Sequence, residues 1–140
     1  FQKEVGLRLL AQPHSKDYSR LSVITQFSCH VKKMFILPAN IFYPAPKIDS
    51  IVIKLTPKNN VNEDTFNTLQ AITRLAFGKR RKILKNSLSK INNIHYLLEK
   101  IGIDINSRAE DVSIEQYTKL CEELLSYKSN ISLTKSFNPV

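Results

Sequence analysis

The spacing of apolar residues changes character at residues 57–61, where "PKNNV" supplies a proline and two asparagines. Before this point, helix-like spacing is mixed with strand-like alternation, and after it every apolar repeat has helical spacing. The change predicts an α/β portion over residues 1–57, followed by an all-α portion over residues 58–140. The polar tail, residues 127–140, is expected to fray.

The first portion contains four predicted elements. Residues 2–11 and 21–27 have apolar residues at helical spacing, and the first of these segments ends in a proline and polar turn residues. The segment "CHVKKMFILP" of residues 29–38 is extended and stops at its proline. From Asp49 onward, apolar and polar residues alternate, which predicts a strand with both faces partly covered.

Capping residues support the helices predicted for the second portion. Asn62 stands before a long run with helical spacing, at a position where its side chain can cap the helix. Two further helices are predicted over residues 83–91 and 96–101. Ser113 and Gln116 form a capping box before the last helix. This portion is expected to be a small helical bundle.

The formal net charge of +9 predicts a polyanionic partner, because lysine and arginine release counterions when they neutralise phosphates. Nucleic acid is the first hypothesis. An anionic membrane surface is the alternative, but it favours a helix with tryptophan or phenylalanine at its apolar boundary, and the sequence has no tryptophan. No apolar run approaches the roughly 20 residues that cross a bilayer.

The two cysteines are too few for a disulfide framework and predict a reducing compartment, which we take to be the cytoplasm. The three histidines lack metal-ligand spacing, so no metal site is expected. Because Phe1 already lies within a predicted element, we expect the chain to be a fragment.

The segment "RLAFGKRRKILKNSLSK" contains seven basic residues and no acidic residue. We predict that a helix begins with Lys79, Arg80, Arg81 and Lys82 in its first turn, with Lys85 following. Positive charges in the first turn of a helix are unfavourable, because the N-terminal end of the helix dipole is also positive. Their presence indicates a bound phosphate, which the N-terminal amides and the basic side chains would hold together. A solvated face or a nuclear-import tag is the alternative interpretation.

The segment "IFYPAPKIDSIVIKLTP" places two aromatic residues on a stiff loop before the second predicted strand. Pro44 and Pro46 fix the backbone that follows Phe42 and Tyr43. An aromatic residue beside a proline turn often closes the end of a core. The residues alone leave open whether Phe42 fills a core or binds a flat ligand.

Four motifs occur in an order and at intervals that resemble the C-terminal half of the ribosomal RNA adenine dimethyltransferases of the small subunit. They are "FQKEVGLRLL", "YSRLSV", "FYPAPKIDS" and "FGKRRKILKNSL". The resemblance extends from Phe1 to about Leu125 and includes "RAEDVSIEQYTKL" near the end. The macrolide-resistance methyltransferases of large-subunit RNA share the F-x-P-x-P loop, and the basic segment favours the small-subunit enzymes.

The resemblance implies a seven-stranded, Rossmann-like methyltransferase domain followed by a helical RNA-binding domain. It implies S-adenosylmethionine (SAM) as methyl donor and two adjacent adenosines near the 3′ end of small-subunit rRNA as substrate, each dimethylated at N6 in the assembling subunit. The aromatic residue at the family's target-base pocket corresponds to Phe42. The family's SAM loop and Asn-Leu-Pro-Tyr catalytic motif have no counterpart here, so the chain alone is expected to be inactive.

Two other functions remain open. A non-catalytic relative could keep the basic helical portion as an RNA-binding or ribosome-binding module. A helix-turn-helix DNA binder using Arg80 and Arg81 is the second, but it leaves the first portion unexplained.

Overall fold

The computed structural model describes the backbone of residues 1–79 and 81–130, and the side chains of these residues up to 127. It contains six α-helices and two strands among these residues. In chain order they are α1 (Lys3–Leu10), α2 (Arg20–Ser28), β1 (Cys29–Leu37), β2 (Ser50–Pro57), α3 (Glu63–Gly78), α4 (Leu84–Ser87), α5 (Ile94–Lys100) and α6 (Ile114–Asn130).

The two strands form an antiparallel hairpin. Cys29 pairs with Pro57 at one end and Leu37 with Ser50 at the other. The register shifts between Lys33 and Phe35, so Met34 forms a bulge. The long connection between the strands, residues 38–49, carries the proline-flanked aromatic residues.

Helix α1 packs tightly on one face of the hairpin, and a glycine makes this approach possible. A Cβ atom at Gly6 would overlap the side chain of Ile51 and would lie 3.0 Å from Ile53 Cδ1. Ile51 is fully buried by this contact. Phe1 and Ile51 also exchange backbone hydrogen bonds of 3.0 and 2.8 Å, which extends the pairing along the outer edge of β2.

The predicted helix caps are confirmed. The Asn62 side chain accepts a hydrogen bond of 3.0 Å from the Thr65 N–H at the start of α3. The Gln116 N–H donates to Ser113 Oγ over 3.1 Å, and the Ser113 N–H donates to Gln116 Oε1 over 3.0 Å. These bonds satisfy amides that the first turn of a helix leaves free.

The buried core contains residues from both sides of residue 57. Phe77 of α3 contacts Tyr18 and Tyr117, with ring centroids 6.1 Å apart in each pair. The Tyr18 hydroxyl donates to the Val112 carbonyl over 2.7 Å, so the segment before α2 is tied to the segment before α6. Segments on both sides of residue 57 therefore share one packed interior, although the buried hairpin residue Ile51 is not part of this cluster. The division into two domains at residue 57 stays a prediction.

Two expectations need correction. The helix predicted over residues 83–91 is reduced to the single turn of α4, because Ile83 has an extended backbone at its start and Leu88 leaves helical geometry at its end. Helix α6 continues to Asn130, so the fraying expected from residue 127 does not begin there. Residues 131–140 of the expected tail lie outside the described residues. The seven-stranded sheet also stays a prediction, because the described residues form one sheet of two strands.

Candidate nucleic-acid interface

The aromatic loop between β1 and β2 is fastened at both ends by Asp49. The Ala39 N–H donates to Asp49 Oδ1 over 3.0 Å, which joins the two ends of the loop. The Lys3 N–H donates to the Asp49 carbonyl over 3.0 Å, which ties the loop to the start of α1. A short 3-10 turn over Ala39–Ile41 then leads the chain to Phe42. The loop is therefore anchored on the sheet and on α1.

The two aromatic side chains of this loop lie at the surface. Phe42 is 40% exposed and Tyr43 is fully exposed, and the peptide bond between Tyr43 and Pro44 is cis. Phe42 has an extended backbone, with φ −98° and ψ 153°. In this chain Phe42 therefore does not fill a closed core, and part of the residue is accessible to solvent.

An open cleft of about 590 Å³ lies beside the aromatic loop, between α1 and the segment that precedes α2. Leu7 and Ile48 give it an apolar surface. Three lysines and three carboxylates also line it: Lys3, Lys16, Lys47, Glu4, Asp17 and Asp49. The sequence interpretation did not single out these lysines, because they are far apart in the chain. Their proximity to a proline-rich aromatic loop comes from the packing of α1 against β2.

The basic segment does not form the first turn of a helix, contrary to the prediction. Lys79 follows the last residue of α3, Arg81 and Lys82 lie in a turn, and α4 begins only at Leu84. Arg80 lies outside the described residues. The dipole argument therefore fails for this segment, because the charged side chains precede a helix of only four residues.

The turn that carries the basic residues is held by the core on its C-terminal side. Leu84 is fully buried, and its N–H donates to the Ser107 carbonyl over 2.6 Å. Because Leu84 is anchored in the core, Ile83 has an extended backbone and the basic residues before it remain at the surface. Lys79, Arg81 and Lys82 are exposed, and Lys85 is half-buried. We call residues 79–85 the basic turn.

Within the described part of the chain, the lysines and the arginine of the basic turn have no ion-pair partner. The salt bridges there join other residues, such as Arg8 with Glu4 and Lys100 with Glu123, each over 2.9 Å. The charges of the basic turn are therefore available to an external anion. The basic turn and Phe42 lie on different loops. The basic turn follows α3, whereas Phe42 lies on the loop between β1 and β2, and no hydrogen bond between described residues links the two loops.

None of the three glycines in the chain fits a nucleotide-cofactor loop. Such a loop needs closely spaced glycines between a strand and a helix, where the backbone can approach the ligand. Gly6 lies within α1, Gly78 ends α3, and Gly102 follows α5 with φ +80°. The described residues also contain no group of three His, Cys, Asp or Glu side chains arranged for a metal ion, and no described helix is long and apolar enough to cross a membrane.

Comparison with known proteins gives a consistent set of relatives. The profile of the family described as "Ribosomal RNA adenine dimethylase" matches residues 1–126. "Ribosomal RNA small subunit methyltransferase A" of Blochmanniella pennsylvanica is 44% identical over 126 residues, which cover 89% of this chain and 47% of that protein. The protein of the same name from Buchnera aphidicola subsp. Baizongia pistaciae is 47% identical over 122 residues, covering 86% of this chain and 46% of that protein. The chain thus spans about half the length of the curated relatives it matches.

Two solved structures share the fold. A dimethyladenosine transferase from Plasmodium falciparum superposes with a TM-score of 0.73 and 24% identity, over 92% of this chain and 55% of that one. The 23S rRNA methyltransferase ErmE superposes with a TM-score of 0.62 and 21% identity, over 88% of this chain and 52% of that one. The described arrangement of hairpin and helices is therefore one that occurs in methyltransferases.

Proposed function

The chain belongs to the ribosomal RNA adenine dimethylase family, and from this premise we propose that it forms the RNA-facing C-terminal part of a small-subunit rRNA adenine dimethyltransferase. The substrate is two adjacent adenosines near the 3′ end of small-subunit rRNA, each dimethylated at N6. The family match over residues 1–126 carries the proposal. The names of the relatives with more than 40% identity support the small subunit over the large one.

In this proposal Phe42 stacks on the target adenine. An enzyme that modifies an exocyclic base nitrogen must take the base out of its stack and hold it between flat surfaces. The exposed ring of Phe42, on a loop fastened by Asp49, meets this requirement without needing to move a core residue. Stacking of this kind contributes about 1–3 kcal/mol per base.

The basic turn holds the RNA backbone. Its cations, Lys79, Arg81, Lys82 and Lys85 together with Arg80, neutralise phosphates at a distance from the reacting base. Such contacts position an RNA without selecting its sequence. The exposure of Lys79, Arg81 and Lys82 supports this role. The four described cations also have no carboxylate partner in the described part of the chain.

SAM would supply the methyl group, as the family implies, and we assign its site to none of the described residues. The chain's own contribution is to bind and orient RNA. We further propose that the parent protein acts on the assembling small ribosomal subunit in the cytoplasm, in line with its rRNA-modifying relatives.

A methyl-transfer assay tests the proposal with a protein of the relatives' full length that includes this chain. Labelled SAM is supplied with small-subunit rRNA, with assembling small subunits, or with large-subunit rRNA as a matched acceptor. We expect N6,N6-dimethyladenosine at two adjacent positions of the small-subunit RNA only. Transfer to large-subunit RNA would assign the chain to the macrolide-resistance type, and RNA binding without transfer to either would assign it to a non-catalytic module.

A further inference from the structure

The face of the hairpin opposite α1 carries lysines that pair with each other instead of with carboxylates. Lys32 of β1 lies directly opposite Lys54 of β2 in the antiparallel register, and both side chains are exposed. Residues directly opposite project from the same face, so these two lysines are neighbours. Ile51 and Ile53 point toward Gly6 of α1, so the alternation of β2 places Lys54 on the other face.

Neither strand contains an acidic residue, although together they carry three lysines and a histidine. Like charges directly opposite each other destabilise a sheet. No salt bridge between described residues relieves the Lys32–Lys54 pair. A fold that keeps two unneutralised cations together at such a position has a surface suited to an anion.

Apolar and aromatic groups continue the same face on one side of the lysine pair. Phe35 lies opposite Val52, and its side chain is 51% exposed. His30 lies opposite Thr56 on the other side of the pair, and both are exposed. The face therefore presents an aromatic ring, a pair of cations and a polar pair in sequence along the strands.

We propose that this hairpin face, defined by His30, Lys32, Phe35, Val52, Lys54 and Thr56, is a second RNA-binding surface that holds a single-stranded segment. The lysine pair contacts phosphates and Phe35 stacks on a base, which is the combination used by sheet surfaces that bind single strands. The proposal rests on the proposed rRNA substrate, and it adds a contact surface distinct from Phe42 and from the basic turn.

Salt-dependent binding of a single-stranded RNA to the 140-residue chain tests this surface. Lys32→Gln combined with Lys54→Gln is expected to reduce the slope of log affinity against log salt by about 1.4, since each phosphate contact on a single strand contributes about 0.7. Arg108→Gln combined with Lys119→Gln removes the same charge from exposed positions off this face, and it should change the slope by much less. Phe35→Ala should weaken binding about 5-fold to 150-fold with the salt slope unchanged.

Three results would overturn the proposal, and they differ in what else they reject. An unchanged affinity and slope in the Lys32/Lys54 variant, while Arg81→Gln with Lys82→Gln still weakens binding, rejects this surface and leaves the proposed function standing. Absence of RNA binding by the unmodified chain rejects the RNA-binding roles on both surfaces. A dimer in sedimentation that Phe35→Ala dissociates would assign the face to a second copy of the chain.

Discussion

Phe42 is the residue on which the proposed chemistry depends most. In a protein of the relatives' full length, Phe42→Ala should reduce single-turnover methylation about 5-fold to 150-fold, because about 1–3 kcal/mol of stacking is lost. Phe42→Tyr is the matched control and should keep most activity, since its ring face is retained. The 40% exposure of Phe42 predicts a stability loss well below the about 3–5 kcal/mol of a buried phenylalanine.

Denaturant unfolding of the same variants separates stacking from structural support. A loss of about 3 kcal/mol or more in Phe42→Ala would show that the side chain fills a core in the complete protein. Normal turnover by the folded fraction would remove Phe42 from the base-binding role.

The two thiols differ in environment, and this difference gives a residue-specific test of the described packing. Burial raises the pKa of the Cys121 thiol to about 12, so Cys121 stays protonated at neutral pH. Cys29 is only half-buried. Because the thiolate is the nucleophile, a maleimide at pH 7.5 should label Cys29 well before Cys121, and unfolding should remove the difference. Equal labelling rates in the folded chain would contradict the described burial of α6.

Among the elements, the basic turn gives a test through electrostatics. Arg81→Gln with Lys82→Gln should lower RNA affinity and reduce the salt slope by about 1.4–1.8, at about 0.7–0.9 per phosphate contact. Lys100→Gln with Glu123→Gln removes a surface ion pair between α5 and α6 and serves as a charge-neutral control. Unchanged affinity and slope in the Arg81/Lys82 variant would show that the basic turn is only a solvated surface.

Periodicity and capping predicted most elements, and their failures have physical causes. The alternation in β2 and the caps at Asn62 and Ser113 depend on neighbours in sequence, so they were visible without a structure. The basic turn was misassigned because a tertiary bond, from the Leu84 N–H to Ser107, decides where α4 begins. The Lys32–Lys54 pair depends on strand register across a long loop with a bulge, which local sequence does not determine.

At the scale of the whole chain, two buried tyrosines bond to the segment that precedes α6. Tyr18 reaches it from the segment before α2, and Tyr117 reaches it from α6 itself. The Tyr18 hydroxyl donates to Val112, and the Tyr117 hydroxyl donates to the Ala109 carbonyl over 2.8 Å. Burial raises the pKa of both hydroxyls, so they remain neutral donors. Tyr18→Phe removes the hydroxyl donor to the Val112 carbonyl and should lower the free energy of unfolding by about 1–3 kcal/mol. Tyr117→Phe should cost less, about 0.5–1.5 kcal/mol, because the Ala109 carbonyl still accepts from the Val112 N–H over 3.4 Å.

Tyr96→Phe is the control for these variants, because Tyr96 is 55% exposed and its replacement should change stability by less than about 0.5 kcal/mol. Thermal and denaturant unfolding measure all three. A Tyr18→Phe protein as stable as the control would mean that the bond to Val112 does not hold the first portion against the helices.

We propose that this chain contacts RNA and that none of its described residues forms the cofactor site. Calorimetric titration of the 140-residue chain with SAM and, separately, with small-subunit rRNA fragments tests this division. We expect saturable RNA binding that weakens with salt, because phosphate contacts dominate it, and no saturable heat with SAM, because the chain has no glycine loop for it. Saturable SAM binding in the micromolar range, or RNA affinity indifferent to salt, would contradict the account.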